Sequence, residues 1–245
     1  MLFQKGGAPM NNKKRKPKPK LFKQVRDPKE LQKDLAHYAQ EAIRLGATDA
    51  KPIRASDVVI DERVRAKCMI PKCPGYGACV HCPPTALPVE TVRQLVKSFQ
   101  WGVLFKVEAD PRSMAGYNTF HVVANLAAGR KHKDTELYKQ LEQDVRSIYS
   151  IVGDIESMAF YDGHHLAMGF GGGNCLIALC KDKGCQVLQE GTCRFPLRSR
   201  PSMESCAMDV YRTVENAGWT IYPLGIRCDV SEVKHGIHVG LVLIE

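Results

Sequence analysis

The sequence of 245 residues lacks any apolar run long enough to cross a membrane as a helix. Such a helix needs roughly 18 or more consecutive apolar residues, whereas an apolar run such as VGLVLIE, at residues 239–245, has the length of a strand. The first residues, MLFQKGG, lead into KKRKPKPK without the apolar core or cleavage site of a secretory signal. The sequence therefore predicts a cytoplasmic protein with no membrane partner.

The sequence also lacks the short motifs of common nucleotide-binding and hydrolase sites. It has no P-loop, no dinucleotide-binding glycine fingerprint and no nucleophile elbow. Three consecutive glycines, Gly171, Gly172 and Gly173, do not have the spacing of that fingerprint. These absences exclude several enzyme classes but leave open whether the protein is an enzyme.

Acidic residues are missing from residues 13–20, KKRKPKPK, which contribute six positive charges. Such a block is typical of a solvated, disordered arm. Without it, the formal charge of +9 falls to about +3, which is ordinary for a folded domain. We therefore predict a basic disordered arm over residues 1–26 and a single metal-binding domain over residues 27–245. A nucleic-acid partner is not favoured.

Cysteine, in contrast, is abundant. A chain without a secretory signal is expected in a reducing compartment, where disulfides are disfavoured. Eight of the ten cysteines form two groups of four, which is typical of metal centres, while Cys206 and Cys228 stand apart. The predicted metal ligands are Cys68, Cys73, Cys79 and Cys82 in the first group, and Cys175, Cys180, Cys185 and Cys193 in the second.

The first group has the spacing Cys-x4-Cys-x5-Cys-x2-Cys in KCMIPKCPGYGACVHCPP. Gly75 and Gly77 allow the loop to wrap around a metal, and the prolines restrict it elsewhere. A four-cysteine zinc site usually has two short knuckles separated by a dozen or more residues. The single compact loop favours an iron–sulfur cluster, with zinc as the alternative and His81 as a possible replacement for one thiolate.

The second group has the spacing Cys-x4-Cys-x4-Cys-x7-Cys, with no two-residue knuckle. The preceding Gly171, Gly172 and Gly173 expose backbone amides that can donate to cluster sulfides, although a sharp turn explains the glycines equally well. Arg194 follows the last cysteine and can offset the negative charge of a cluster. We therefore expect these four residues to contact the cofactor.

Hydrophobic periodicity predicts helices and strands in mixed order. Helices are expected after Asp27, over PVETVRQLVKSF, from about residue 134 to residue 160 and after Ser202. Strands are expected over WGVLFKVEA, WTIYPLGI and HVGLVLIE. Helices between strands indicate an α+β or α/β fold, in which a mixed sheet has flanking helices and carries two cysteine-rich metal-binding loops.

The two cysteine motifs, with ENAGW after the second, resemble an uncharacterised prokaryotic family of predicted metal-binding proteins, a domain of unknown function. The resemblance runs from about residue 50 to the C-terminus and implies cysteine-bound metal, most readily iron–sulfur. Cys79 stands where relatives carry another residue, and the gap between Cys68 and Cys73 is wider than in some members, which leaves the fourth ligand of the first site open. Cys206 falls within the second signature and is a candidate substitute ligand.

These observations lead to one main hypothesis and two alternatives. The main hypothesis is an iron–sulfur protein with two cysteine-bound clusters of the [4Fe-4S] type that transfers electrons or handles metalloclusters for a redox or metalloenzyme partner. The first alternative is a module stabilised by Zn2+ whose basic arm contacts an acidic partner or nucleic acid. The second is a reductase or activation enzyme whose cluster has an open iron.

Overall fold

The computed structural model describes residues 18–115, 117–128, 130, 136–225 and 228–245. Residues 1–17 of the predicted arm therefore lie outside the described part. Further along, Lys20 pairs with Asp162 at 2.9 Å and Arg26 with Asp34 at 3.3 Å. The chain thus contacts the folded body just before the first helix. Among the described helices, none is long and apolar enough to span a membrane.

The centre of the fold is a four-stranded sheet in the order β1-β2-β4-β3, in which every neighbouring pair is antiparallel. This arrangement confirms the prediction of a sheet with flanking helices, and the antiparallel pairing makes the fold α+β. The strands are β1 (Asp49–Arg54), β2 (Trp101–Ala109), β3 (Met168–Phe170) and β4 (Gly236–Leu243).

Helices flank the sheet. The α-helices of the described residues are α1 (Pro28–Arg44), α2 (Glu62–Met69), α3 (Val89–Lys97), α4 (Pro111–Met114), α5 (Tyr117–Ala127), α6 (Glu136–Tyr161), α7 (Gln186–Glu190) and α8 (Val210–Asn216). Short helical turns of other types cover Ala55–Asp57, Leu176–Cys180, Lys181–Lys183 and Glu204–Cys206.

Alternation along β2 divides the core between the two faces of the sheet. Val103 and Phe105 pack with α1 and α6, where Leu35 and Ile151 are fully buried. Leu104 faces the other way, into a second cluster with residues of α3 and α8. β2 carries apolar side chains on both faces because helices cover both faces of the sheet.

The elements with strong local signals form as predicted. Asp27 caps α1 by accepting the backbone amide of Lys29 at 2.7 Å, and the helix ends before Gly46, whose φ is +113°. The long helix α6 is continuous through Gly153. A Cβ there would lie 2.9 Å from the carbonyl oxygen of Leu197, so the glycine permits close approach of a loop.

Two predicted elements were wrong. The helix expected to start at Ser202 starts after Asp209 instead, whose side chain accepts the amide of Arg212 at 3.2 Å. Ala207 intervenes with φ +59°, a left-handed conformation that interrupts the helix. The strand expected over WTIYPLGI is absent from residues 219–225, the part of that segment that the structure describes.

A third cluster of buried residues contains four of the eight grouped cysteines. Val145 and Tyr149 of α6 pack there against the turn Leu176–Cys180 and helix α5. Because α6 also packs on the sheet, this one helix ties the cysteine loops to the central core. The cluster includes Cys79, Cys175, Cys180 and Cys185.

Candidate metal centre

The first cysteine loop begins in the last turn of α2, which carries Cys68. The amide of Cys73 donates to the Cys68 carbonyl at 3.0 Å, and the amide of Cys82 donates to the Cys79 carbonyl at 3.0 Å. The amide of Gly77 closes the loop by donating to the Pro83 carbonyl at 2.7 Å. These bonds hold the backbone in a compact loop without help from a disulfide, since all of the cysteines are free.

A buried arginine anchors this loop to the rest of the domain. The Arg65 guanidinium donates to the carbonyls of Ser205 at 2.6 Å and Leu87 at 2.5 Å. A charged donor to a carbonyl gives a stronger hydrogen bond than a neutral donor does. Arg65 therefore fixes α2, and with it Cys68, against the segment that follows the loop and against the distant turn at Ser205.

Gly75 lies at the bottom of a cradle of sulfur atoms. A Cβ at this residue would lie 3.5 Å from Cys82 Sγ, 3.8 Å from Cys73 Sγ and 2.9 Å from the side-chain nitrogen of Asn174. The Gly75 amide also lies 3.4 Å from Cys73 Sγ. The absent side chain keeps open the space between two predicted ligands, so the donor set and the cradle fit a cysteine-bound metal group.

Cys175 belongs in space with the first cysteine group. Its thiol is hydrogen-bonded to Cys79, whose Sγ lies 3.4 Å from Cys82 Sγ. Hydrogen bonds from Cys175 and then Cys82 lower the pKa of the Cys79 thiol, while the same contacts raise the pKa of the other two. The three thiols therefore titrate as one coupled group. Further ionisation requires a cation, which is what a metal supplies.

Two polar side chains bridge the loop to Cys175. His81 Nε2 lies 2.9 Å from Ser199 Oγ, and Ser199 also hydrogen-bonds to Cys175. Burial lowers the pKa of His81, although the nearby Cys79 opposes this shift. His81 is thus positioned by Ser199 beside the sulfurs. The prediction that it replaces a thiolate stays a prediction.

Three cysteines of the second group interact electrostatically across one loop. Cys180 ends the turn Leu176–Cys180, Cys185 directly precedes α7, and Cys193 lies two residues after Gly191. Burial raises the pKa of Cys180, the Arg194 guanidinium lowers it, and the charges of Cys185 and Cys193 raise it again. Arg194 also donates to the Gly184 carbonyl at 2.6 Å. The predicted basic residue therefore lies at the sulfurs, held by the loop itself.

The three glycines before Cys175 have packing reasons of their own. A Cβ at Gly171 would lie 2.7 Å from the Tyr149 ring, and one at Gly172 would lie 2.7 Å from the Val239 carbonyl oxygen. Gly173 has φ +70°, and its carbonyl accepts the Tyr149 hydroxyl at 3.0 Å. Close approach and turn geometry thus explain the glycines. Donation from their amides to a cofactor stays a prediction.

The two remaining cysteines lie elsewhere. Cys206 is buried in the core cluster of α3 and α8, where burial raises its pKa to about 11. Cys228 is exposed and hydrogen-bonds within its own turn, to the Gly225 backbone. Neither contributes a sulfur to the two groups described above.

The spacing of the donors bears on the kind of metal. Within the described ranges, no three His, Cys, Asp or Glu side chains converge closely enough to hold a single ion. A tetrahedral zinc site with Zn–S bonds of about 2.3 Å brings its sulfurs to about 3.8 Å from one another. Cys79 Sγ and Cys82 Sγ, at 3.4 Å, lie close to that spacing, whereas a cluster spreads its ligands more widely because each thiolate binds a different iron atom.

The family comparison agrees with this site. A family model described as Predicted metal-binding protein (DUF2284) matches residues 51–244, which include both cysteine groups. The chain belongs to this family. The resemblance seen in the two cysteine motifs is thereby confirmed. No curated protein and no solved structure matches the chain.

Several residues of this DUF2284 domain that contact the sulfurs or hold their loops were not predicted from the sequence. Asn174 donates to Cys82 Sγ at 3.4 Å and also accepts the amide of Leu176 at 2.9 Å. Ser199 and the buried Arg65 act in similar supporting roles. The one sequence signal was the position of Asn174 directly before Cys175, where a capping side chain fits the start of a helical turn.

Proposed function

We propose that this DUF2284 protein binds two iron–sulfur clusters, of the [4Fe-4S] type, and transfers electrons or handles metalloclusters for a partner protein. The observation that carries the proposal is the cradle at Gly75, where a Cβ would lie 3.5 Å from Cys82 Sγ and 3.8 Å from Cys73 Sγ, beside the contact of Cys175 with Cys79. A bound cluster supplies one-electron transfer at a potential set by its ligands and hydrogen bonds.

The protein side chains divide into ligands and supports. The ligands are the eight grouped cysteines, with Cys175 adding a fifth sulfur to the first group. Asn174 donates to Cys82, and Arg194 places positive charge at Cys180. Such N–H donors and cations stabilise thiolate charge and adjust the reduction potential.

The two groups are close enough to act together. The turn Leu176–Cys180 begins directly after Cys175 and ends at Cys180, and the charge of Cys180 is felt at Cys175. Cys175 and Cys180 therefore lie at the two ends of a single π-helical turn. Two centres joined by this turn would form a short path for electrons, which supports a carrier of two clusters.

The test is anaerobic purification followed by iron and acid-labile sulfide analysis, visible absorption and electron paramagnetic resonance. We expect a brown protein with about eight iron and eight sulfide per chain, as two [4Fe-4S] clusters require. A colourless protein that contains only zinc would overturn the proposal and favour the zinc-stabilised module. The redox or metalloenzyme partner is part of the same proposal, as is a cytoplasmic location.

A further inference from the structure

Exposed apolar and aromatic side chains form a patch where the basic segment enters the folded domain. Leu21 is 88% exposed and Leu166 is 68% exposed, and Phe22, Phe160 and Tyr161 are exposed to smaller extents. We call these five residues the entry patch. Neighbouring apolar side chains that face outwards in this way mark an interaction surface.

Contacts with the end of α6 hold the entry patch in place. The Lys20 amide donates to the Tyr161 carbonyl at 2.8 Å. The Phe22 ring lies edge-on to the His165 ring, with centroids 4.7 Å apart. Both rings border a recess of about 390 Å³, whose described lining includes no acidic side chain. The fold therefore presents these apolar side chains together at one place on the surface.

The entry patch adjoins a surplus of positive charge. The two carboxylates that Lys20 contacts are ion-paired, Asp162 with Lys20 at 2.9 Å and Asp34 also with Arg26 at 3.3 Å. Residues 13–18, KKRKPK, add five basic side chains and no acidic one. Because an extended chain spans at most about 3.6 Å per residue, these charges cannot lie more than about 25 Å from Lys20. Apolar side chains and unneutralised cations therefore occur side by side.

This combination matches the surface of an anionic membrane. Basic segments are attracted to anionic headgroups, and apolar side chains gain free energy by entering the boundary between headgroups and acyl chains. A single-stranded nucleic acid would require aromatic faces for base stacking, whereas Leu21 and Leu166 are aliphatic and the Phe22 ring is edge-on to His165. A nucleic acid or an acidic peptide would pair with the charges and leave the leucines in water. A membrane satisfies both.

We propose that the entry patch and the basic segment before it bind the surface of an anionic membrane, with Leu21 and Phe22 inserted among the lipids and residues 13–18 against the headgroups. Surface binding of this kind requires no spanning helix. The proposal replaces the expectation of no membrane partner, which rested on the lack of an apolar run long enough to span. It does not depend on which metal the cysteines hold.

The experiment measures cosedimentation of the full chain, purified with its own metal, with vesicles of phosphatidylcholine alone or mixed with phosphatidylserine. We expect binding to the mixed vesicles to be about tenfold tighter or more, and to weaken as salt is added. Each basic residue near such a surface contributes about fivefold in affinity, so Lys16→Gln combined with Lys18→Gln should weaken binding about tenfold or more. Leu21→Ser combined with Phe22→Ser should weaken it by about tenfold through lost apolar burial. Both variants should keep their metal content.

Matched controls remove the same kinds of side chain elsewhere on the surface. Leu197→Ser with Tyr211→Ser removes an exposed leucine and an exposed aromatic ring, and Lys97→Gln with Lys234→Gln removes two exposed lysines. Both controls should bind the mixed vesicles as the unchanged protein does. Equal binding to the two kinds of vesicle, or full binding by the variant with two serines in the entry patch, would overturn the inference. Binding of a thymidine oligonucleotide or of polyglutamate without binding of vesicles would also overturn it, in favour of a nucleic-acid or acidic protein partner.

Discussion

Asn174 donates its side-chain amide to Cys82 Sγ at 3.4 Å, although 92 positions of the chain separate the two residues. The same side chain accepts the amide of Leu176, at the start of the turn that ends at Cys180. One residue therefore connects the first cysteine group to the turn that leads into the second. A substitution at Asn174 should therefore change both the free energy of unfolding and the reduction potential of the bound cofactor. Different substitutions should change these two quantities by different amounts.

Asn174→Ser and Asn174→Ala separate the two effects. Serine keeps an oxygen for the Leu176 amide, whereas alanine removes both bonds, so alanine should cost about 1 kcal/mol more in the free energy of unfolding. Both variants lose the N–H bond to Cys82. We expect each to shift the reduction potential of one centre to more negative values by about 40 mV, or about 1 kcal/mol. Potentiometric titration and urea unfolding measure the two quantities, and a potential unchanged in both variants would contradict the assignment.

The position of Cys175 leads to a second prediction. Because its thiol contacts Cys79, we expect Cys175→Ala to alter the same paramagnetic signal that Cys82→Ala alters. Cys185→Ala should alter a different signal, and Cys206→Ala, in the core, should alter neither. Iron analysis and electron paramagnetic resonance of the four variants check this. Matching spectra for Cys175→Ala and Cys185→Ala would return Cys175 to the second group.

The contrast between Cys175 and helix α1 shows what sequence can predict. The cap at Asp27, the apolar stripe and Gly46 all act within one helix, so local rules were sufficient. Spacing along the chain assigned Cys175 to its near neighbours, but its contact with Cys79 depends on how α6 brings two distant loops together. Local patterns carry no information about that packing.

The prediction that a helix starts at Ser202 was wrong for a local reason that the sequence does not reveal. Ser202 and Asp209 are both good N-cap residues, and the sequence alone does not rank them. The left-handed backbone of Ala207 decides the outcome, and this conformation is uncommon for a residue with a side chain.

Gly75 provides a third prediction. Gly75→Ala should place a methyl group 2.9 Å from the Asn174 nitrogen and 3.5 Å from Cys82 Sγ, in the space between two ligands. We expect the variant to lose metal from the first centre. Gly77→Ala is the matched control. Gly77 has φ +70° and open space around it, so alanine should cost about 1–2 kcal/mol through backbone strain and leave the metal content unchanged. Equal metal loss in both variants would argue against the cradle.

His238 on β4 gives a prediction about pH. Burial lowers its pKa to about 4, and Nε2 has no hydrogen-bond partner within the described part of the chain. The unfolded chain binds this proton near pH 6.5, so its contribution to stability is complete above that pH and is lost as the pH falls towards 4. Between pH 7.5 and 5, this one group should reduce the free energy of unfolding by about 2 kcal/mol.

Urea unfolding of His238→Gln at the same two pH values tests this assignment. The variant should lose about 2 kcal/mol less than the unchanged protein on acidification, since glutamine does not titrate. His235→Gln is the control, because His235 lies three residues away with a side chain that is 42% exposed. His235→Gln should keep the full pH dependence of the free energy of unfolding. Release of metal at acidic pH affects all three proteins alike. An identical loss in His238→Gln and the unchanged protein would mean that His238 accepts its proton in the folded state as readily as in the unfolded one.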